Sequence, residues 1–135
     1  MAELLRLLDT SVIVRYVVGD DASAQERARE LIESDTPLGI TATAVLEASF
    51  ALRRLYGYSR EWIVDVLVEL VSRENAVGVG VDLGKVAARL ALCRPSGTVS
   101  FGDALLAATG ASFGVNEAYT FDQKLDRSGL ATVIL

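Results

Sequence analysis

Histidine is missing altogether from the 135-residue sequence, and cysteine occurs once, at Cys93. Without histidine the commonest general base is gone, and with a single thiol so is every usual zinc set. Ser-His-Asp and Cys-His catalysis are excluded on the same ground. A lone cysteine forms no disulfide within the chain, so Cys93 is expected to be a buried, inert thiol. A core held by aliphatic packing alone suits a cytoplasmic protein. Charges recur throughout, leaving no apolar run long enough to cross a bilayer and no sign of a membrane partner. The apolar N-terminal stretch is broken by Glu3, Arg6 and Asp9, against the pattern of a signal peptide.

Hydrophobic residues make up 51% of the chain, and 18 acidic residues against 13 basic ones give a net charge of -5. This balance argues against a generally basic nucleic-acid coat, although a local patch or bound metal can still attract phosphate. For hydrolysis near neutral pH the remaining equipment is mainly carboxylate, with Tyr, Lys and Arg as lesser helpers. Carboxylates bind Mg²⁺ and Mn²⁺ well. With no internal repeat, low-complexity tract or long linker, residues 1–135 are expected to form one domain.

The apolar run Leu4, Leu5, Leu7 and Leu8 ends at Asp9, which predicts a buried strand of a parallel sheet followed by a helix from about Ser11 to Val18. Ser23 and Glu26 resemble a capping box for a second helix through about Glu33. Leu38–Thr41 reads as a strand, and Thr41 or Thr43 as the cap of a helix that ends near Tyr56 and Gly57. Ser59 opens a further amphipathic helix, reaching the Arg73-Glu74-Asn75 break. Val77, Val79 and Val81 predict a short strand, and Asp82 caps a helix over Val86–Leu92, interrupted at Pro95-Ser96-Gly97. Phe101–Ala111 reads as a helix, Glu117–Thr120 and Ala131–Ile134 as strands. Short strands alternating with helices imply a right-handed, doubly wound α/β fold with ligands beyond the carboxyl ends of its strands.

Four acidic residues stand out in this frame. Asp9 and Asp122 map to strand ends, where helix capping and turn formation are their structural alternatives. Glu47 has Thr43, Ala44, Phe50 and Ala51 as its helical neighbours, and so no local cation. Asp103 is followed by Leu106 and Ala107 at the same spacings, with a helix dipole as its alternative explanation. A doubly wound sheet could bring all four to one edge, where they would repel unless divalent ions neutralised them.

At these residues the sequence resembles the PIN-domain nucleases, particularly the VapC-like toxins of bacterial and archaeal toxin–antitoxin pairs. LLDTSVIV is similar to the first motif of that family and supplies Asp9; VLEASFAL resembles the second and supplies Glu47. FGDALLAA carries Asp103, and YTFDQKLDR carries Asp122 with Thr120 two positions earlier. Gln123 is a looser fit, and Asp126 reads as a solvated turn residue.

The resemblance implies a three-layer α/β/α domain with a central, mostly parallel sheet. It also implies Mg²⁺- or Mn²⁺-dependent endoribonuclease activity, with Asp9, Glu47, Asp103 and Asp122 as catalytic, metal-binding carboxylates. Thr10, Ser11 and Thr120 would orient water or phosphate. The implied partners are RNA, a cognate VapB-like antitoxin and a second copy of the chain. A PIN nuclease of RNA maturation without an antitoxin, and a non-catalytic PIN-like binding domain, are the alternatives. A haloacid-dehalogenase-like phosphatase is disfavoured because Ser11 replaces the second aspartate of that family. Arg15, Arg53, Arg54, Arg94, Lys124 and Arg127 are basic residues that could meet RNA, while Tyr56, Tyr58 and Trp62 suit packing better than base stacking.

Overall fold

Each α-helix among the described residues starts at a short polar side chain that accepts from an amide of its first turn. The computed structural model describes residues 4–95 and 99–135, so Ser96 and Gly97 of the expected helix interruption lie outside it. The order of elements is β1 (Arg6–Leu7), α1 (Thr10–Val17), α2 (Ala22–Ile32), β2 (Leu38–Ile40), α3 (Ala42–Arg54) and α4 (Arg60–Val71). There follow β3 (Ala76–Gly78), α5 (Leu83–Ala91), α6 (Phe101–Ser112), β4 (Glu117–Thr120), a 3₁₀ turn (Leu125–Ser128) and β5 (Ala131–Ile134). Asp9, Thr41, Ser59, Asp82 and Ser100 cap α1, α3, α4, α5 and α6 with their side chains. A cap of this kind typically contributes about 1 kcal/mol to a helix that packing must otherwise hold.

The second helix departs from expectation. Its cap is Asp21, which accepts from the Ala24 amide at 3.0 Å, and Ser23 lies inside the helix. Two candidate caps stand two residues apart here, and Asp21, with extended backbone, is the one used. The end of α3 follows expectation: Gly57 takes a φ of 68°, a left-handed conformation that costs glycine little.

Among the described residues all strand pairings are parallel, consistent with an α/β fold, and the strands form two sheets. In the first, β2 lies between β1 and β3, with Arg6 opposite Leu38, Leu7 opposite Gly39, and Leu38 opposite Ala76. In the second, β4 pairs with β5, Glu117 opposite Ala131 through Thr120 opposite Ile134. The buried strand is therefore β2, whose three residues are all covered. The expectation of a buried β1 is corrected: Leu4, Leu5 and Leu7 are exposed, and only Leu8 enters the core. As an edge strand, β1 is hydrogen-bonded along one side only.

The main core gathers Ile13, Ile32, Ile40, Leu52, Ile63, Leu67, Leu70 and Leu90 between the helices and the first sheet. Tyr58 and Trp62 stack with ring centroids 4.1 Å apart and pack against that core, so their bulk is structural. A smaller cluster of Ala107, Leu125 and Leu130 fixes the 3₁₀ turn against α6. Gly129 ends this turn at a φ of 94°, and the Arg89 guanidinium occupies the place a β-carbon would take. Among the described residues no helix is long and apolar enough to cross a membrane.

Candidate active site

The register of the first sheet decides what stands at its carboxyl edge. With Leu7 opposite Gly39, the next residues outward are Leu8 and Asp9 on one strand and Ile40 and Thr41 on the other. The Leu8 amide continues the ladder by donating to the Gly39 carbonyl at 2.7 Å. Asp9 and Thr41, each capping a helix, therefore flank one another beyond the sheet. Helix α3 runs back from Thr41 and presents Glu47 to the same place. Leu7, Leu8, Asp9, Thr10, Thr41, Thr43, Ala44 and Glu47 line a cleft of about 200 Å³.

Hydroxyls hold both carboxylates of this cleft. Asp9 accepts from the Ser11 amide at 3.1 Å and from the Ser11 hydroxyl at 2.6 Å. These bonds, led by the Ser11 hydroxyl, hold the Asp9 carboxyl below the ordinary aspartate range. Thr10 Oγ1 lies 3.1 Å from Glu47 Oε2 and donates to it, with the Ala44 carbonyl farther off at 3.4 Å. Residues 10 and 11, expected to orient water or phosphate, thus orient the two acids.

Asp103 occupies the first turn of α6, half-buried, with its amide donating to Ser100 Oγ at 3.0 Å. Its helix packs on α3, and its charge is felt at Cys93 along with that of Arg60. Asp122 stands two residues beyond β4, where its amide donates to Thr120 Oγ1 at 2.9 Å and its carboxylate accepts from the Lys124 amide at 2.8 Å. Thr120 thus bonds the backbone amide of Asp122 and not its carboxylate, unlike Ser11 at Asp9.

Asp9 and Glu47 line one cleft, whose lining does not include Asp103 or Asp122. Among the described residues no three His, Cys, Asp or Glu side chains are grouped to hold a metal ion. Asp122 is carried by a sheet that is not hydrogen-bonded to the sheet that carries Asp9, among the described residues. Two carboxylates with hydroxyls around them nevertheless form an oxygen-only donor set. Such a set fits a hard divalent cation that keeps several of its waters.

A basic feature escaped the sequence reading. Phe50, Arg53, Arg54, Arg60, Ser100 and Phe101 line a cleft of about 190 Å³ between α3 and the start of α6. Arg54 lies over the Phe50 ring at 5.2 Å, and Arg60 over Phe101 at 5.7 Å. Arg53 and Arg54 were visible as basic residues, but only the tertiary packing adds Arg60 to them. By contrast Arg15 is committed to Asp20 and the Tyr56 hydroxyl, and Arg94 forks onto Asp65 at 3.0 and 3.2 Å. Cys93 is fully buried beneath this region, as expected, and burial pushes its thiol up to about 11.

Two comparisons bear on this arrangement. Residues 6–129 match the model of a family described as PIN domain. No curated protein matches the chain.

Proposed function

Because the chain belongs to the PIN-domain family, whose members are generally metal-dependent nucleases, we propose that it is an endoribonuclease dependent on Mg²⁺ or Mn²⁺. The observation that carries this reading is the cleft at the carboxyl edge of the first sheet, where Asp9 and Glu47 meet. Both acids are pinned by neighbouring hydroxyls, which gives an ion a preformed pair of oxygen donors. Asp9 and Glu47 would hold the cation, with Asp103 from the neighbouring helix and Asp122 as the further carboxylates of the site. A bound divalent ion lowers the pKa of water and stabilises the attacking and leaving oxygens of a phosphodiester displacement.

The chain supplies the remaining requirements. Ser11 and Thr10 fix the carboxylate orientations before substrate arrives, which reduces reorganisation during reaction. The arginines of the cleft between α3 and the start of α6 suit the phosphates of RNA. A concentrated basic cleft answers the objection raised by the net charge of -5.

We further propose the finer identity of a VapC-like toxin, acting in the cytoplasm as a homodimer and silenced by a VapB-like antitoxin. Its test begins with purified chain, free of any partner, and end-labelled RNA. Cleavage should require Mg²⁺ or Mn²⁺ and should disappear in Asp9→Asn and Glu47→Gln. Cleavage by those variants, or inert wild-type chain that binds no Mn²⁺ in calorimetry, would leave a non-catalytic PIN-like domain as the reading. Growth arrest on induction, reversed by a small protein encoded beside it, supports the toxin. Active enzyme without growth arrest supports RNA maturation.

A further inference from the structure

One face of α3 carries residues of two clefts. Thr43, Glu47, Phe50 and Arg54 follow one another at helical spacing and are all exposed, while Val45, Ala48, Ser49 and Leu52 turn to the core. Thr43 and Glu47 line the acidic cleft, and Phe50 and Arg54 the basic one. At a rise of ~1.5 Å per residue, the backbone of Arg54 stands about 10 Å along the helix axis from that of Glu47. Helix α6 makes a second link: Ser100, in the wall of the basic cleft, accepts from the amide of Asp103.

The basic cleft is set for an anion. Among the described residues Arg15, Arg29, Arg73 and Arg94 each pair with a carboxylate, whereas Arg53, Arg54 and Arg60 do not. Three guanidinium groups gathered without a counter-charge repel one another until an anion joins them. Two of them are already aimed. Arg53 donates to the Tyr58 carbonyl and Arg60 to the Val99 carbonyl, each at 3.0 Å, and each keeps further N–H donors for a ligand. Phe101 is buried beneath Arg60, but the Phe50 ring is 42% exposed and offers a flat apolar surface beside the cations.

We propose that this cleft is a nucleotide subsite that works without metal: its three arginines hold phosphate of the RNA strand, and an adjoining unpaired base lies against the Phe50 ring. Charge alone would admit any anion. Guanidinium groups beside an open aromatic ring match a phosphate joined to a flat base. Position matches a strand, because a chain laid along the exposed face of α3 passes Glu47 and then Phe50 and Arg54. Stacking on Phe50 needs a base free of its pairing partner, so single-stranded RNA is taken in preference to duplex. Carboxylates meet phosphate only through a divalent ion, whereas arginines need none.

The subsite takes its substrate from the ribonuclease reading, yet its binding is measurable apart from cleavage. A fluorescent single-stranded oligoribonucleotide, and the same strand annealed to its complement, are titrated with the full chain in EDTA at low salt and followed by anisotropy. The wild-type chain should bind the single strand about 10-fold tighter than the duplex. Phe50→Leu keeps apolar bulk without an aromatic face. It and Arg54→Gln should each weaken single-strand binding by about 10-fold, while Phe50→Trp retains it. Thermal unfolding checks that each variant is folded, and Arg54→Gln carries the test if Phe50→Leu is not. No binding in EDTA, equal binding of strand and duplex, or wild-type affinity in either folded variant overturns the subsite. So does tighter binding of poly-glutamate that is lost in Arg54→Gln, which assigns the cleft to an acidic protein segment.

Cleavage keeps the two readings distinct. With Mn²⁺ added, Phe50→Leu should raise KM more than it lowers kcat. Strand binding as expected, with no cleavage by the wild-type chain, removes the ribonuclease and leaves a cleft for single strands. Cleavage with a KM unmoved by Phe50→Leu removes the subsite and leaves the ribonuclease.

Discussion

The Thr10 hydroxyl donates to the Glu47 carboxylate at 3.1 Å, joining the start of α1 to the middle of α3 across 37 positions of sequence. Neither residue needs the other to form its helix, so the bond serves the cleft more than the fold. Replacing Thr10 by Val should weaken Mn²⁺ binding by about 10-fold or more, the usual effect of removing a group that orients a ligand. Thr10→Ser should restore affinity. Calorimetric titration of both variants checks this, with thermal unfolding as the control for folding.

Asp9 has two jobs, capping α1 and lining the cleft. Asparagine caps as well as aspartate does, whereas alanine does not. Asp9→Asn should therefore abolish cleavage at nearly unchanged melting temperature, while Asp9→Ala should lose both activity and stability. Comparing the two melts separates the roles.

Cys93 provides the alkaline signature. In the folded chain its thiol ionises near 11, above the 9.0 of an ordinary cysteine, so the unfolded chain loses its proton first. Stability should be unaffected below the lower value, fall as pH rises from 9.0, and level off above about 11. Cys93→Ala should flatten that alkaline limb in urea titrations. Native wild-type chain should also resist maleimide at neutral pH.

Gly129→Ala should destabilise the chain by about 1–3 kcal/mol, since the left-handed conformation and the displaced Arg89 guanidinium both count against a side chain. Urea denaturation measures the cost. The accompanying loss of order should centre on the turn and the second sheet, readable as faster amide exchange there.

The arginine cleft makes a prediction about salt. If Arg54 meets one phosphate, Arg54→Ala should reduce RNA affinity at low salt and shrink the slope of log affinity against log salt by about 0.7 for single-stranded RNA. Arg94→Ala, which removes an arginine already paired with Asp65, should leave that slope unchanged.

Local chemistry made much of this molecule legible. Capping residues at Thr41, Ser59 and Asp82, and the strands Glu117–Thr120 and Ala131–Ile134, follow from patterns contained within a few residues. Where two local signals compete, as at Asp21 and Ser23, sequence does not choose between them. The partition into two sheets was not legible because strand pairing is a contact between distant segments, and an apolar run reads alike whether it becomes a central strand or an edge. The candidate site divides on the same line. Asp9 and Glu47 meet through a register that β1 and β2 set between them; Asp122 depends on where the second sheet is placed. Arg60 joins the basic cleft by packing alone, with nothing in its neighbours to announce it.

The bare edges of β1 and β4 also bear on how the chain is made. Residues 117–134 leave the ribosome after every helix of the main core has been synthesised. Neighbouring nascent chains on one message then hold finished cores and unfinished edges at high local concentration. Edges that find each other at random start aggregates. A charged residue in place of Leu5 or Tyr119 should thus raise the soluble yield of this protein.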